Sequence, residues 1–152
     1  MMSQPLTETH KRLHLLVGRW KGPEKTHPSP WDTEGGPGTG VTENRLACGG
    51  IVVVQDYRQE REGKPNFEGH GVFRWDPQAG CYVLFWFDSA GLPPSEFRGQ
   101  FDGNKLSMIC NMEDGKLRCA WEVSGDRNTF VMEAGDGTHW QPMLEGEYTR
   151  QG

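Results

Sequence analysis

The side chains best suited to chemistry are those of His70 and Asp88, which lie in a stretch of alternating residues, FEGHGVFRWDPQAGCYVLFWFD, at positions 67–88. An imidazole oriented by a carboxylate can act as a general base, hold a polar group of a ligand or coordinate haem iron. A guanidinium on the following segment can hold an anionic head group. The residues predicted to anchor a ligand here are His70, Trp86, Asp88, Glu96 and Arg98, with Glu68 beside them.

A β-hairpin would bring these residues together. The turn-forming residues DPQAG at 76–80 separate two runs of alternating residues, which are therefore predicted to pair about that turn. The pairing puts His70 opposite Trp86 and diagonal to Asp88, on a face that mixes aromatic and titratable groups. The sequence leaves open which face lines an interior. The opposite, apolar face is predicted to pair Trp75 with Cys81, Phe73 with Val83, Gly71 with Phe85 and Gly69 with Phe87.

The second half of the chain predicts a sheet with one apolar face. Two-residue turns at Asp102-Gly103, Asp114-Gly115 and Gly125-Asp126 determine which residues face each other. The resulting apolar face is expected to point inward, where its methionines suit an adaptable cavity, although an ordinary packed core would show the same pattern. Its predicted pairs are Phe97 with Met108, Gly99 with Leu106, Met112 with Leu117, Cys110 with Cys119, Trp121 with Phe130, and Cys119 with Met132.

The N-terminal part predicts a short helix, a strand and a long loop. Thr7 can cap a helix over about residues 7–17, and a first strand follows from Gly18 to about Thr26. Residues 23–40 are rich in proline and glycine and have no periodicity, as in loops that act as lids. Trp31 is expected to fold over a cavity mouth or to pack against a partner subunit, and packing of the loop on its own barrel is the alternative.

Composition limits the classes of function. The chain of 152 residues predicts one domain, and its 21 glycines, 10 prolines and six tryptophans are typical of a turn-rich all-β protein. A net charge of −5 argues against nucleic acid as a partner. No apolar run approaches the roughly 20 residues of a membrane span, and the N-terminus MMSQPLTE lacks the apolar core of a secretion signal. A cytoplasmic location is therefore expected.

The cysteines and histidines do not show the spacing of a metal site. The four cysteines lack Cys-x-x-Cys clustering, and His10 and His14 lie one helical turn apart without an evident third ligand. No metal site is predicted. Cys110 and Cys119, expected to be directly opposed, are interpreted as reduced core thiols, with a strained or redox-active disulfide as the alternative.

Turn signals recur at near-regular spacing from residue 39 to the C-terminus and give about ten strands. A helix that runs into Gly18-Arg19-Trp20, followed by a meander that ends in Glu147-Tyr148-Thr149-Arg150, resembles the lipocalin and calycin architecture. That resemblance implies an antiparallel up-and-down lipocalin-like barrel in which Gly18 opens the first strand and Arg150 packs across Trp20.

Almost the whole chain also resembles the DUF1579 family of small bacterial proteins of unknown function. That resemblance implies the same barrel and, because the family has no established activity, assigns no catalytic residues. The matching segments include LVGRWKG at 16–22, PSPW at 28–31, QDY at 55–57, GHGV at 69–72, WFDS at 86–89 and GEYTR at 146–150.

The predicted function is the binding of a small hydrophobic or amphipathic molecule in the barrel. His70, Trp86 and Asp88 would anchor its polar group, and Trp31 would lie on a lid. Three alternatives remain: an enzyme with His70 and Asp88 as an acid/base pair, a haem-binding barrel with His70 as axial ligand, and a homodimeric interaction module that uses the apolar strand at 81–87 and Trp31. The sequence names no cofactor.

Overall fold

Ten antiparallel strands form a closed barrel in the computed structural model, which describes residues 4–152. Each strand pairs with its neighbours along the chain, and the first strand pairs with the last to close the ring. The predicted all-β, up-and-down barrel of about ten strands with a short N-terminal helix is confirmed. The strands are β1 (Gly18–Thr26), β2 (Gly36–Ala47), β3 (Val52–Arg61), β4 (Lys64–Asp76), β5 (Cys81–Asp88), β6 (Ser95–Asp102), β7 (Lys105–Met112), β8 (Gly115–Ser124), β9 (Arg127–Gly135) and β10 (Trp140–Arg150).

The N-terminal helix closes one end of the barrel. It begins as α1 (Glu8–Arg12), capped by Thr7 as predicted, and continues as a 3₁₀ helix, Leu13–Leu16. Leu13 and Leu16 are buried, whereas Leu15 is exposed, and the helix backbone accepts a hydrogen bond from the Tyr82 hydroxyl at Thr9 O (2.7 Å). We call this the helix end and the opposite end the far end. Among the described residues, no helix is both long and apolar enough to cross a bilayer.

The barrel interior at the helix end, the helix half, is filled by large apolar side chains. Trp20, Phe73 and Tyr82 are almost completely buried. The rings of Phe73 on β4 and Trp121 on β8 meet edge to face with centroids 5.3 Å apart, so they bridge the lumen between strands that are not neighbours. This half of the interior is therefore a packed core and not the hollow that the sequence predicted.

Trp20 is held at the bottom of this core. Its indole Nε1 donates to Leu16 O (3.0 Å), and the guanidinium of Arg150 stacks on its ring at 4.3 Å from the centroid. Gly18 has φ +143°, a backbone conformation that favours glycine, and a Cβ there would also displace the Arg150 guanidinium. The first strand, the tryptophan and the last strand are thereby joined at one point.

The predicted register of the second half is only partly right. Trp121 pairs with Phe130 and Cys119 with Met132, as predicted. The other two hairpins shift by two residues: Gly99 pairs with Met108, and Cys110 pairs with Leu117. In the hairpin of β6 and β7, Asp102 pairs with Lys105, so the turn consists of Gly103 and Asn104 and not of the predicted Asp102 and Gly103. Gly103 has φ +59°, as the first residue of a type II′ turn requires. An even shift leaves every side chain on its predicted face.

The predicted register of the central hairpin is wrong by one residue. Asp76 stays in the ladder opposite Cys81, and residues 77–80 form the loop. The Asp76 carboxylate accepts hydrogen bonds from the backbone of Gln78 (3.1 Å) and Ala79 (3.2 Å), which fixes this tighter turn. A shift of one residue moves all of β5 to the other face. The observed pairs are Trp75 with Tyr82, Phe73 with Leu84, Gly71 with Trp86, His70 with Phe87 and Gly69 with Asp88.

The predicted loop over residues 23–40 is also wrong in its extent. β1 continues to Thr26 and β2 begins at Gly36, so that only residues 27–35 connect them. Gly38 and Gly40 lie in β2, where the absence of a side chain allows neighbouring groups to approach closely. At Gly40, for example, a Cβ would overlap the carboxylate of Glu24.

Candidate ligand-binding site

His70 lies on the outer surface of the barrel and is oriented by Asp56. Its ring Nδ1 is 2.7 Å from Asp56 Oδ1, and Asp56 Oδ2 accepts a hydrogen bond from Arg45 Nη1 (3.0 Å). The hydrogen bond from His70 is the main cause that lowers the pKa of Asp56, and Arg45 adds to it. The orienting carboxylate is thus Asp56, on the adjacent strand β3, and not the predicted Asp88.

His70 borders a groove of about 450 Å³ on the outside of β2–β5. The groove is lined mainly by residues at outward-facing positions, and Asp88 reaches its edge from the end of β5. His70 and Asp88 therefore lie near the same depression without contacting each other. The outward-facing lining includes Val41, Glu43, Asp56, Glu68, His70 and Phe87.

Trp86 lies inside the barrel because of the one-residue shift in the central hairpin. Its ring covers Gly69, where a Cβ would overlap it, and its centroid is 6.3 Å from that of Tyr57. The indole Nε1 donates to Asp88 Oδ2 (3.0 Å), while Asp88 Oδ1 accepts from the backbone of Ala90 (3.0 Å). The prediction that His70 and Trp86 share a face is wrong, since the two side chains lie on opposite sides of the barrel wall.

The other predicted site residues lie away from the interior. Arg98 bonds to Glu96 (3.3 Å) and Asp76 (3.5 Å) on the outer surface, within a polar network. Trp31 is 61% exposed in the loop 27–35, so its ring is not packed into the barrel. This loop is tied to the end of β3 by an ion pair between Asp32 and Arg61 (2.7 Å).

The structure brings together a buried polar group that the sequence did not predict. Glu24 is 4% exposed and faces the interior from β1. Its Oε1 accepts hydrogen bonds from the Tyr57 hydroxyl (2.8 Å) and from Gln59 Nε2 (3.0 Å), and its Oε2 accepts one from the Tyr148 hydroxyl. We call Glu24, Tyr57, Gln59 and Tyr148 the Glu24 cluster.

Each partner of Glu24 is a hydrogen-bond donor. Asn66 Nδ2 donates to Gln59 Oε1 (2.6 Å), which turns the amide nitrogen of Gln59 toward the carboxylate. Burial, followed by the nearby charge of Glu24, raises the pKa of both Tyr57 and Tyr148, so the two phenols keep their protons at neutral pH. The set of donors suits a carboxylate, which only accepts hydrogen bonds when it is ionised.

The far half of the interior, which contains this cluster, also has an apolar wall. Leu117, Phe130 and Met132 face inward and pack against the core but are only partly buried.

Cys119 is buried beside them, and burial raises the pKa of its thiol, so it is not a reactive group. All four cysteines are free, and Cys110 faces Leu117 and not the predicted Cys119. Within residues 4–152 no group of three or more His, Cys, Asp or Glu side chains is arranged to hold a metal ion.

A signal for the Glu24 cluster does exist in the sequence. Strand-like alternation is not interrupted at Pro23, so one face would carry Trp20, Gly22 and Glu24. The same period places a second set on one face of a later strand, namely Val53, Gln55, Tyr57 and Gln59. Both runs place polar side chains on a face that starts apolar. The proline and glycine content that predicts a loop over residues 23–40 obscures the first of these runs.

A family model described as "Protein of unknown function (DUF1579)" matches residues 5–150. The chain belongs to the DUF1579 family. No curated protein matches it significantly. Among 16 matching chains of solved structures is Rv2717c from M. tuberculosis, which is 16% identical, covers 97% of this chain and 100% of its own, and has a TM-score of 0.73. At that identity the likeness extends to the barrel fold alone, so the function of this DUF1579 barrel must be inferred from its own residues.

Proposed function

We propose that this DUF1579 barrel binds a small amphipathic molecule in the far half of its interior. The observation that carries the proposal is the Glu24 cluster, a carboxylate that is 4% exposed inside a barrel and is surrounded by donors. Burial of a charged group costs free energy, and an apolar side chain of similar size would serve stability as well or better. A buried carboxylate beside a partly buried apolar wall is the composition of a ligand pocket.

The polar Glu24 cluster and the apolar wall determine how the ligand would lie. Its polar group would approach the Glu24 cluster, and its apolar body would lie against Trp86, Phe130 and Met132. The helix half is filled, so the ligand would enter from the far end, past the loop 27–35. The predicted lid role of Trp31 is retained here as a part of the proposal.

Titration of the protein with 1-decanol, followed by tryptophan fluorescence, tests the proposal. Trp86 lies in the far half, so saturable binding should change the emission. Leu117→Trp would fill the lumen and should weaken binding by at least about tenfold, or about 1.4 kcal/mol. Ser107→Trp, on the outer face of β7, is the matched control and should bind like the wild type. Absence of saturable binding to wild type, or unchanged binding by folded Leu117→Trp, would refute the proposal.

A second candidate function is acid–base chemistry in the outer groove. It is favoured by the 2.7 Å contact between His70 and Asp56, since a carboxylate that holds one ring nitrogen leaves the other available as a base. Hydrolysis of p-nitrophenyl acetate tests this candidate. If His70 is the base, His70→Gln should lower the rate. His139→Gln, at an exposed histidine outside the groove, is the control and should keep the full rate. Equal rates for wild type and His70→Gln exclude the candidate.

A further inference from the structure

The hydrogen-bond donors around Glu24 are neutral side chains. Glu24 takes part in none of the ion pairs formed among residues 4–152. The positive charge of Arg61 opposes the rise in the pKa of the neighbouring Tyr57, and its guanidinium is bound to Asp32 at 2.7 Å. Neutral donors stabilise a carboxylate, but they leave its net charge in a low-dielectric interior, where a counter-charge acts strongly.

Aromatic rings lie next to this carboxylate. The ring of Tyr57, whose hydroxyl binds Glu24, has centroid distances of 6.3 Å to Trp86 and 6.4 Å to Phe67. Aromatic faces attract cations through the negative potential above the ring, and their contribution increases when the cation is desolvated. A buried carboxylate beside several aromatic rings is the combination that recognises ammonium groups.

We infer that the ligand of this barrel is an amphipathic cation, an amine or amidine carried on an apolar body. The inference rests on the proposed function, because it names the ligand class of the same site. The cationic group binds at Glu24 between the rings of Tyr57 and Trp86, and the apolar body extends along the wall formed by Phe130 and Met132. A carboxylic acid of the same length is disfavoured, since Glu24 repels its charge.

Three probes of equal chain length separate this inference from the proposed function. Decylammonium, 1-decanol and decanoate are titrated into wild-type protein at pH 7 by isothermal calorimetry, below their aggregation concentrations. Decylammonium should bind at least about tenfold more tightly than either of the others. If none of the three binds, the proposed function fails. If decanol or decanoate binds as tightly as decylammonium, the pocket stands and the inference of a cationic ligand fails.

Glu24→Gln tests which residue provides the selectivity. It keeps the size of the side chain and removes its charge, so the preference for decylammonium over decanol should fall by about tenfold. Glu122→Gln, on the outer face of β8, removes one charge from an exposed position and should keep the preference. Circular dichroism first establishes that both variants fold. A folded Glu24→Gln with wild-type selectivity would overturn the inference; if the variant does not fold, the comparison of probes on wild type decides it alone.

Discussion

The two halves of the barrel interior differ in what fills them. The helix half contains Trp20, Phe73 and Leu106, none of them measurably exposed, and the rings of Phe73 and Trp121 meet across its lumen. The far half contains a buried glutamate, two tyrosine hydroxyls and a wall of partly buried apolar side chains. Both halves belong to the same ten strands and are separated by only a few residues along each strand.

This difference indicates that the two halves of the interior have different roles. Close packing of large apolar groups in the helix half stabilises the fold through burial and dispersion. The far half departs from the packing that would maximise stability, and such departures are expected at functional sites. Substitutions in the helix half should therefore change stability most, and those in the far half should change the proposed ligand binding.

The largest expected effect on stability is that of Trp20→Ala. Loss of the plug at the helix end should lower the free energy of unfolding by about 3–5 kcal/mol, through lost burial and a residual cavity. Trp31→Ala is the matched control, since Trp31 is 61% exposed, and it should change stability by no more than about 0.5 kcal/mol. Urea denaturation measures both. Equal losses for the two variants would contradict the packing of the helix half described here.

A smaller effect should distinguish the tyrosines of the two halves. Tyr148→Phe removes a hydrogen bond to a buried carboxylate and should cost about 1.5–3 kcal/mol. Tyr82→Phe removes a hydrogen bond to the backbone carbonyl of Thr9 and should cost about 0.5–1.5 kcal/mol. The same denaturation experiment compares them. A larger loss for Tyr82→Phe would show that the Glu24 cluster is not held by its phenol donors.

The smallest expected effect on stability comes from a pair of side chains on the outer surface of the barrel. Hydrogen bonding to His70 lowers the pKa of Asp56 below its ordinary value of 3.8. A carboxyl group with a lowered pKa in the folded state contributes stability above the unfolded value and loses it as the pH falls below about 3.8. Because both side chains are exposed, the contribution should stay within about 0.2–1 kcal/mol.

Asp56→Asn tests this contribution. The variant should be slightly less stable than wild type at pH 6 and should approach it at pH 3, as measured by thermal unfolding. Asp114→Asn, in the exposed turn after β7, serves as the control and should show the wild-type dependence on pH. A difference between Asp56→Asn and wild type that grows toward pH 3 would contradict the direction of the pKa shift.

Local patterns were sufficient to predict much of the fold. Thr7 caps the first helix, glycine-containing turns separate the strands, and alternation put residues such as Met108, Cys119 and Trp121 on the correct face. These features depend on neighbours in the sequence or on the even period of a strand, which tolerates a register shift of two residues. In the central hairpin the register differs from the predicted one by one residue, because the turn after Asp76 is one residue shorter than predicted. The side chains of β5 therefore lie on the faces opposite to those predicted.

The sequence by itself therefore determined the number of strands, their order along the chain and the faces of the second half of the barrel. Only the tertiary structure decided that Asp56 orients His70 and that Glu24 is a buried acceptor. The partners of Glu24 lie 33, 35 and 124 residues away along the chain. The contact with Tyr148 exists only after the barrel closes β10 onto β1, and the contacts with Tyr57 and Gln59 require β1, β2 and β3 to be paired. No local preference encodes them, because each polar residue taken alone is equally compatible with an exposed position.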